Sequence, residues 1–127
     1  MTKKNICFII GSRANYSSIK SVLSAVNKCN KFNLQIILCA SALLERYGNV
    51  SKNITNDGFE ITKKLYTIIE GETPLTMAKT TGLGLIELAS VFDDIKCDIV
   101  FNSFYYRNTS SYSGFKGKRK RIFFSQL

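Results

Sequence analysis

A glycine, a serine and an arginine follow directly on the first apolar run of the chain, and together they could bind an anion. The run occupies residues 6–10, and Gly11, Ser12 and Arg13 come next. An unbroken apolar run is typical of a strand buried on both faces, as in a parallel sheet. The segment after it has a helical pattern, so backbone N–H groups and the positive end of a helix dipole would lie beside the Arg13 guanidinium. This predicts a nucleotide or nucleotide-sugar site, and the alternative is a tight turn at Gly11 with a solvated Arg13.

The chain has no histidine and four widely separated cysteines, which limits its chemistry. Without histidine it lacks the commonest general base and the partner of Ser–His and Cys–His nucleophile pairs. No Cys-x-x-Cys spacing occurs, so zinc and disulfide sites are disfavoured. We expect Cys7, Cys29, Cys39 and Cys97 to be reduced, mostly buried thiols, with no metal and no cofactor.

Length and hydropathy fit one ordinary domain. The 127 residues are 45% hydrophobic, and no apolar run approaches the roughly 18 residues that span a bilayer. No cleavable signal precedes residue 6. We therefore expect a cytoplasmic protein that does not bind membranes.

Much of the net charge of +9 lies near the end of the chain. Residues 116–121 form the basic run Lys-Gly-Lys-Arg-Lys-Arg, and Tyr105, Tyr106 and Tyr112 precede it. Basic runs with aromatic neighbours can bind single-stranded nucleic acid by charge and stacking. We favour a solvated tail over a nucleic-acid-binding module, which is kept as an alternative.

Helical and strand patterns alternate along residues 6–101. An amphipathic helix runs to about residue 30, a second strand occupies residues 34–40, and a short helix ends near Gly58, which suits its C′ position. Residues 59–69 alternate loosely and predict a third strand. A long helix then begins at Thr73 and Pro74, which suit its N-cap and first turn, and residues 98–101 begin a fourth strand.

The long helix carries an apolar seam and two glycines. Gly82 and Gly84 each cost about 1 kcal/mol relative to alanine in a helix, and we favour close packing on the sheet as the reason over room for a ligand. The seam residues, expected to face the sheet, are Leu75, Ala78, Gly82, Leu85, Ala89 and Phe92.

The βαβαβαβ order predicts an α/β fold, a partial Rossmann-like doubly wound parallel sheet over residues 1–102. A ligand would lie beyond the carboxyl ends of the strands. Residues 103–127 lose all periodicity and are expected to form an irregular basic tail. With no fifth strand, the outer edge of the fourth strand would be unpaired and would favour aggregation or marginal stability. The alternative is that Ile122-Phe123-Phe124 pairs there, although the basic run before it would have to cross the end of the sheet at a charge cost.

Several motifs in one order give residues 1–101 a family resemblance. They are Gly11-Ser12-Arg13-Ala14-Asn15-Tyr16-Ser17 after the first strand, Tyr47-Gly48-Asn49, Asp57-Gly58-Phe59, and Thr73-Pro74-x-x-Met77-Ala78-Lys79 with Gly82-Leu83. On these motifs the chain resembles the N-terminal part of the hydrolysing UDP-N-acetylglucosamine 2-epimerases, in the branch that feeds sialic-acid-type sugars.

The resemblance implies a binding site and an assembly. It implies the first part of the N-terminal domain of a GT-B fold, contact of Arg13 and Ser17 with UDP beside Gly11 and Ser12, and homo-oligomers for family members. The family usually has Asp where this chain has Asn15, so one carboxylate is missing from that loop.

The resemblance stops after Phe101. Family members continue with Gly-Asp-Arg, a His-Gly-Gly-Glu segment and a second domain, whereas residues 102–104 here are Asn-Ser-Phe. We therefore expect a truncated epimerase that has no catalytic residues, is inactive alone and binds UDP-sugar weakly, with the last ~25 residues translated out of frame where the periodicity stops. The other alternative is a nucleotide-binding half that needs a separately encoded second domain.

Overall fold

A computed structural model describes residues 2–71, 73–102 and 121–124 of the chain. Its strands are β1 (Lys4–Ile10), β2 (Phe32–Cys39), β3 (Lys63–Leu65), β4 (Ile99–Asn102) and β5 (Arg121–Phe124). Its helices are α1 (Arg13–Lys28), α2 (Val50–Asn56) and α3 (Pro74–Asp94), with short 3₁₀ turns at Ala40–Leu43 and Glu45–Tyr47. The strands form one parallel sheet in the order β3-β2-β1-β4-β5. This order confirms the predicted doubly wound α/β fold.

The central strand β1 is buried on both faces of the sheet, as its unbroken apolar run predicts. Ile6, Phe8 and Ile10 lie in the core that α1 and α2 cover. Cys7 and Ile9 lie in a second core on the opposite face, which α3 covers. Successive side chains of a strand point to opposite faces, so only a continuous apolar run can fill both cores.

Two predicted helix termini are confirmed in atomic detail. At the start of α3 the Thr73 hydroxyl accepts the Thr76 N–H at 3.2 Å, and the Thr73 N–H donates to the Thr76 hydroxyl at 2.9 Å. Pro74 follows at the first helical position, where a missing N–H costs nothing. After α2, Gly58 has φ of +89° and its N–H donates to the Thr55 carbonyl, as expected of a C′ glycine.

The third strand is much shorter than the predicted 59–69. Only Lys63–Leu65 pair with β2, although Phe59, Leu65 and Thr67 are all buried. An extended segment can bury alternate side chains without forming a continuous hydrogen-bonded ladder with its neighbour. The alternating sequence pattern therefore indicates which side chains are buried and does not indicate how many residues pair with β2.

The predicted packing seam of α3 is confirmed at Phe92, which packs against the core between α3 and the sheet, and is wrong at three other positions. Leu88 and Val91 pack against the sheet, whereas Leu75 is 64% exposed and Ala78 and Ala89 are exposed as well. Because α3 is apolar around much of its circumference, the sequence periodicity identifies a stripe without identifying the stripe that faces the core.

The glycines of α3 are not explained by packing on the sheet. A Cβ added at Gly82 or Gly84 would meet no atom within 4 Å among the described residues. The described residues therefore give no support to the close-packing interpretation of these glycines.

The expectation of an unpaired β4 edge is also wrong. β5 pairs in parallel with β4 over its whole length, with Ile99 opposite Arg121 and Asn102 opposite Phe124. This backbone pairing satisfies the N–H and C=O groups along the β4 edge, which is the physical reason that a segment expected to be irregular forms a strand.

Among the described residues, no helix is both long and apolar enough to span a membrane.

Candidate functional site

The turn between β1 and α1 is built by side chain to backbone hydrogen bonds. Ser12 is the N-cap of α1, and its Oγ accepts the Asn15 N–H at 3.1 Å. The Asn15 Oδ1 in turn accepts the Gly11 N–H at 3.3 Å. An amide oxygen makes this contact as a carboxylate oxygen would, so Asn15 preserves the turn without adding a negative charge. The α1 N-terminus therefore faces the carboxyl edge of the sheet with no acidic residue in its first turn.

The loop after β2 is hydrogen-bonded to this turn through the Gly11 carbonyl. That oxygen accepts the Ser41 hydroxyl at 2.9 Å and the Ala42 N–H at 3.1 Å. Both donors belong to the 3₁₀ turn after β2, which begins at Ala40 with φ of +53°. A non-glycine residue in the left-handed region costs about 1–2 kcal/mol, so the surrounding contacts hold this loop in a defined conformation.

The Arg13 guanidinium lies near Gly48, on the side where a Cβ would project. A Cβ added at Gly48 would be 3.5 Å from the Arg13 Nη1, and Gly48 has φ of +81°. Arg13 is exposed, and within the part of the chain that the structure describes no carboxylate forms an ion pair with it. Ser17, also exposed, is four residues further along α1 and therefore on the same side of the helix. The structure thus brings Gly11, Ser12 and Arg13 together at one turn and places Ser17 one helical turn away.

This site lies where the strand order changes direction. The connection from β1 leads to β2 on one side, while β4 lies on the other side of β1. In open α/β sheets, ligands bind in the crevice at the carboxyl ends of the strands beside such a switch point. β4 ends at Asn102, at the same edge of the sheet as Gly11.

A tyrosine and a carboxylate near the site form a hydrogen bond that connects α1 with the end of α2. Tyr16 is buried on α1, and its hydroxyl donates a short hydrogen bond to the carboxylate of Asp57, the C-cap of α2. The Nζ of Lys20 lies 3.1 Å from the same carboxylate oxygen. Asp57 thereby links the two helices that cover one face of the sheet.

The pKa values of this cluster follow from the same contacts. Burial, followed by the adjacent Asp57 carboxylate, raises the pKa of Tyr16 above its ordinary value, so Tyr16 remains a protonated donor. The hydrogen bond from Tyr16, followed by that from Lys20, lowers the pKa of Asp57. Local sequence patterns do not indicate this cluster as a whole. One signal is present, since Tyr16 shares the apolar face of Ile19 and Leu23 and its buried hydroxyl therefore needs a hydrogen-bond partner.

Three carboxylates near the end of α3 and the start of β4 lie away from the Gly11 turn. Asp98 accepts the Asn5 N–H at 2.8 Å near the start of β1, and Asp93 and Asp94 end α3. These carboxylates lie at the sheet edge opposite the Gly11 turn. Within residues 2–71, 73–102 and 121–124, no cluster of three metal-ligating side chains occurs.

The cysteines are buried or half-buried thiols, as the sequence predicts. Cys7, Cys39 and Cys97 are buried and Cys29 is half-buried. Burial raises the pKa of the Cys39 thiol to about 12, so this sulfur is a poor nucleophile.

The proposed nucleic-acid patch lies outside the described residues, except for the backbone of Arg121 in β5. Tyr105, Tyr106 and Tyr112 and the basic residues 116–120 are among those that the structure does not describe. The alternative function based on them stays a sequence prediction.

Comparison with known proteins places the chain beside sugar-nucleotide 2-epimerases, although no family model matches it. It is 26% identical over 100 residues to a hydrolysing GDP/UDP-N,N'-diacetylbacillosamine 2-epimerase of Campylobacter jejuni, covering 79% of this chain and 26% of that protein. It is 25% identical over 97 residues to a UDP-N-acetylglucosamine 2-epimerase of Neisseria meningitidis, covering 76% of this chain and 25% of that protein.

Solved structures agree on the fold. A UDP-N-acetylglucosamine 2-epimerase structure matches 79% of this chain with a TM-score of 0.64 and 19% identity. The Neisseria meningitidis enzyme bound to UDP-N-acetylglucosamine matches 78% with a TM-score of 0.62 and 16% identity. The resemblance to UDP-N-acetylglucosamine 2-epimerases is therefore confirmed over about three quarters of the chain, which spans about a quarter of the length of these relatives.

Proposed function

We propose that residues 1–102 form a UDP-sugar-binding part of a hydrolysing UDP-N-acetylglucosamine 2-epimerase of the GT-B type, in the branch that makes sialic-acid-type sugars. Arg13 and Ser17 contact the UDP moiety, and the diphosphate lies at the turn of Gly11 and Ser12. The chain binds UDP weakly by itself and does not turn over the sugar.

The position of Arg13 is the observation that carries this proposal. An exposed guanidinium without an ion-pair partner among the described residues lies beside the α1 N-terminus, at the switch point of the sheet. A guanidinium and a helix N-terminus are both suited to phosphate oxygens. The neutral Asn15 keeps that turn free of an opposing carboxylate.

The proposed inactivity follows from the groups that the epimerase chemistry needs. Removal of the proton at sugar C2 and elimination of UDP require a base and an acid beside the sugar. The family's segments that supply them do not match this sequence after Phe101, and the carboxylates of Asp93, Asp94 and Asp98 lie at the opposite sheet edge.

Equilibrium binding of UDP to matched charge variants tests the site. Arg13→Ala should weaken UDP binding at least about tenfold, because charge-assisted hydrogen bonds to phosphate are lost. Lys28→Ala removes the same charge at the other end of α1, about 22 Å away. Since this distance exceeds the Debye length of about 8 Å at physiological salt, Lys28→Ala should change the affinity for UDP less than about twofold. Equal losses in the two variants, or no saturable UDP binding, would contradict the proposal.

Turnover is tested separately with UDP-N-acetylglucosamine. The purified chain should release UDP no faster than buffer alone, since it lacks the acid and base. UDP release above that background that disappears in Arg13→Ala would show a complete active site and contradict the proposed inactivity.

A further inference from the structure

Two side chains of α1 meet the same carboxylate at the end of α2. The Tyr16 hydroxyl donates a short hydrogen bond to Asp57, and the Lys20 Nζ lies 3.1 Å from the same oxygen. The Lys20 side chain is 53% exposed, so water can replace its ion pair at little cost. Tyr16 is only 4% exposed, and water has little access to its hydroxyl. The hydrogen bond from Tyr16 is therefore the stronger of the two connections between the helices.

Tyr16 also belongs to the helical turn that carries the candidate anion site. Its backbone N–H donates to the Ser12 carbonyl at 3.2 Å, and Ser12 is the N-cap of α1. Arg13 lies three residues before Tyr16, within one turn of the same helix. A change in how the Tyr16 side chain is held is therefore transmitted to the turn that holds Arg13.

Asp57 is connected to the other side of the site through α2. It is the C-cap of this two-turn helix, and Asn49 is the N-cap, directly after Gly48. The Asn49 side chain accepts the Ser51 hydroxyl, and its carbonyl accepts the Lys52 N–H at 3.2 Å. These bonds join the loop at Gly48 to the first turn of α2, so the loop and the helix move together.

The pair of helices therefore makes two contacts at different heights above the sheet. In one, Tyr16 binds Asp57. In the other, the Arg13 guanidinium lies near Gly48, where an added Cβ would be 3.5 Å from Nη1. A guanidinium binds phosphate through hydrogen bonds of fixed direction. A guanidinium that is less well held must be ordered when the ligand binds, and this ordering lowers the affinity.

We propose that Tyr16 and Asp57 are positioning residues for the diphosphate, an inference that rests on the proposed UDP site. Their hydrogen bond sets the separation of α1 and α2, and with it the distance between the Gly48 loop and the Arg13 guanidinium. Asp57 is roughly 10 Å along α2 from Gly48, and Tyr16 is buried. Both residues therefore act through Arg13 and do not contact the ligand.

UDP titrations of three single variants test the proposal. Tyr16→Phe removes only the hydroxyl and should weaken UDP binding about three- to tenfold, because Arg13 is then less well held. Ile19→Val shortens a side chain of α1 that is 2% exposed. It should destabilise the fold by a comparable amount and change the affinity for UDP less than about twofold. Lys20→Gln removes the exposed ion pair and should also change the affinity less than about twofold.

A double variant tests whether Tyr16 acts through Arg13. In the Arg13→Ala background, Tyr16→Phe should cause no further loss of UDP affinity, because the group that Tyr16 positions is absent. The protein without ligand provides an independent measurement. Tyr16→Phe should shift the amide NMR resonance of Gly48, whereas Ile19→Val should leave it in place.

The outcomes separate this inference from the proposed function. Equal UDP affinities in Tyr16→Phe and Ile19→Val would overturn the positioning role and leave the UDP site intact. A further loss of affinity in the double variant, or an unmoved Gly48 resonance in Tyr16→Phe, would overturn the positioning role as well. Absence of saturable UDP binding in the wild type would contradict the proposed function itself, and with it this inference.

Discussion

Replacing Gly48 by alanine tests whether the loop after β2 holds Arg13 in position for a ligand. Gly48 has φ of +81° and ψ of +130°, a region that is almost restricted to glycine. Its backbone lies near the Arg13 guanidinium, since an added Cβ would be 3.5 Å from Nη1. Alanine must either accept the strained backbone or move the loop, and Arg13 would move with it.

The size of the effect can be worked from these values. The backbone strain costs about 1–3 kcal/mol, which lowers the melting temperature by about 4 °C for each kcal/mol. The contact distance of 3.5 Å is an ordinary van der Waals separation, so the methyl group adds no severe clash. We therefore expect Gly48→Ala to weaken UDP binding by a few-fold, about 3–10, through a displaced guanidinium whose hydrogen bonds to phosphate are partly lost.

Gly58→Ala is the matched control. Gly58 has φ of +89°, and a Cβ there would meet nothing within 4 Å. Its substitution costs about 1–2 kcal/mol of backbone strain but leaves Arg13 in place. Thermal unfolding should show both variants destabilised, and UDP titration well below either melting temperature should show a loss only for Gly48→Ala. Equal UDP affinity in the two variants would refute the argument, as would an undiminished stability of Gly48→Ala.

Three further predictions concern stability and reactivity. The folded-state pKa of Asp57 is lowered, so its contribution to stability is present above the unfolded pKa of about 3.9 and is lost as the pH falls through the folded value. Urea unfolding across this pH range should therefore show a weaker pH dependence of stability in Asp57→Asn than in the wild type. An identical pH dependence in the two proteins would contradict this prediction. Alkylation of the native protein at about pH 8 should label Cys29 before Cys39, because burial raises the pKa of Cys39 to about 12. Mass spectrometry measures the labelling of each cysteine, and equal labelling rates would contradict the burial of Cys39. Removing residues 121–127 should cause aggregation by leaving the β4 edge unpaired, whereas removing residues 125–127 should not, as light scattering would show.

Local sequence patterns were sufficient to predict the main helices and strands of residues 1–102 and the turn between β1 and α1. The apolar run of β1, the Thr73–Pro74 start of α3 and Gly58 after α2 each specify a local backbone conformation. The α/β order then restricts the topology to a doubly wound sheet, because parallel strands need right-handed crossovers. Gly11, Ser12 and Arg13 are consecutive in sequence, so their proximity at the end of β1 requires only that this strand and α1 form.

The tertiary structure alone decided which surfaces meet. Tyr16 and Asp57 are 41 residues apart. The hydrophobic pattern of α1 and that of α2 each predict a helix, but neither indicates that the two helices lie side by side. Gly48 reaches Arg13 only because β1 and β2 are neighbours in the sheet. Such contacts depend on the summed packing of whole elements, and a sequence period carries no information about the partner that a side chain meets.

The same limit explains the errors at α3 and β5. The period of α3 contains two apolar stripes, and burial of Leu88 and Val91 against the sheet selects one of them. The pairing of β5 with β4 depends on an edge created by folding, since the unsatisfied N–H and C=O groups of β4 exist only once the sheet has formed. The sequence therefore determined the elements of residues 1–102 and their order, and three-dimensional packing determined which apolar surface is buried and that residues 121–124 pair with the β4 edge.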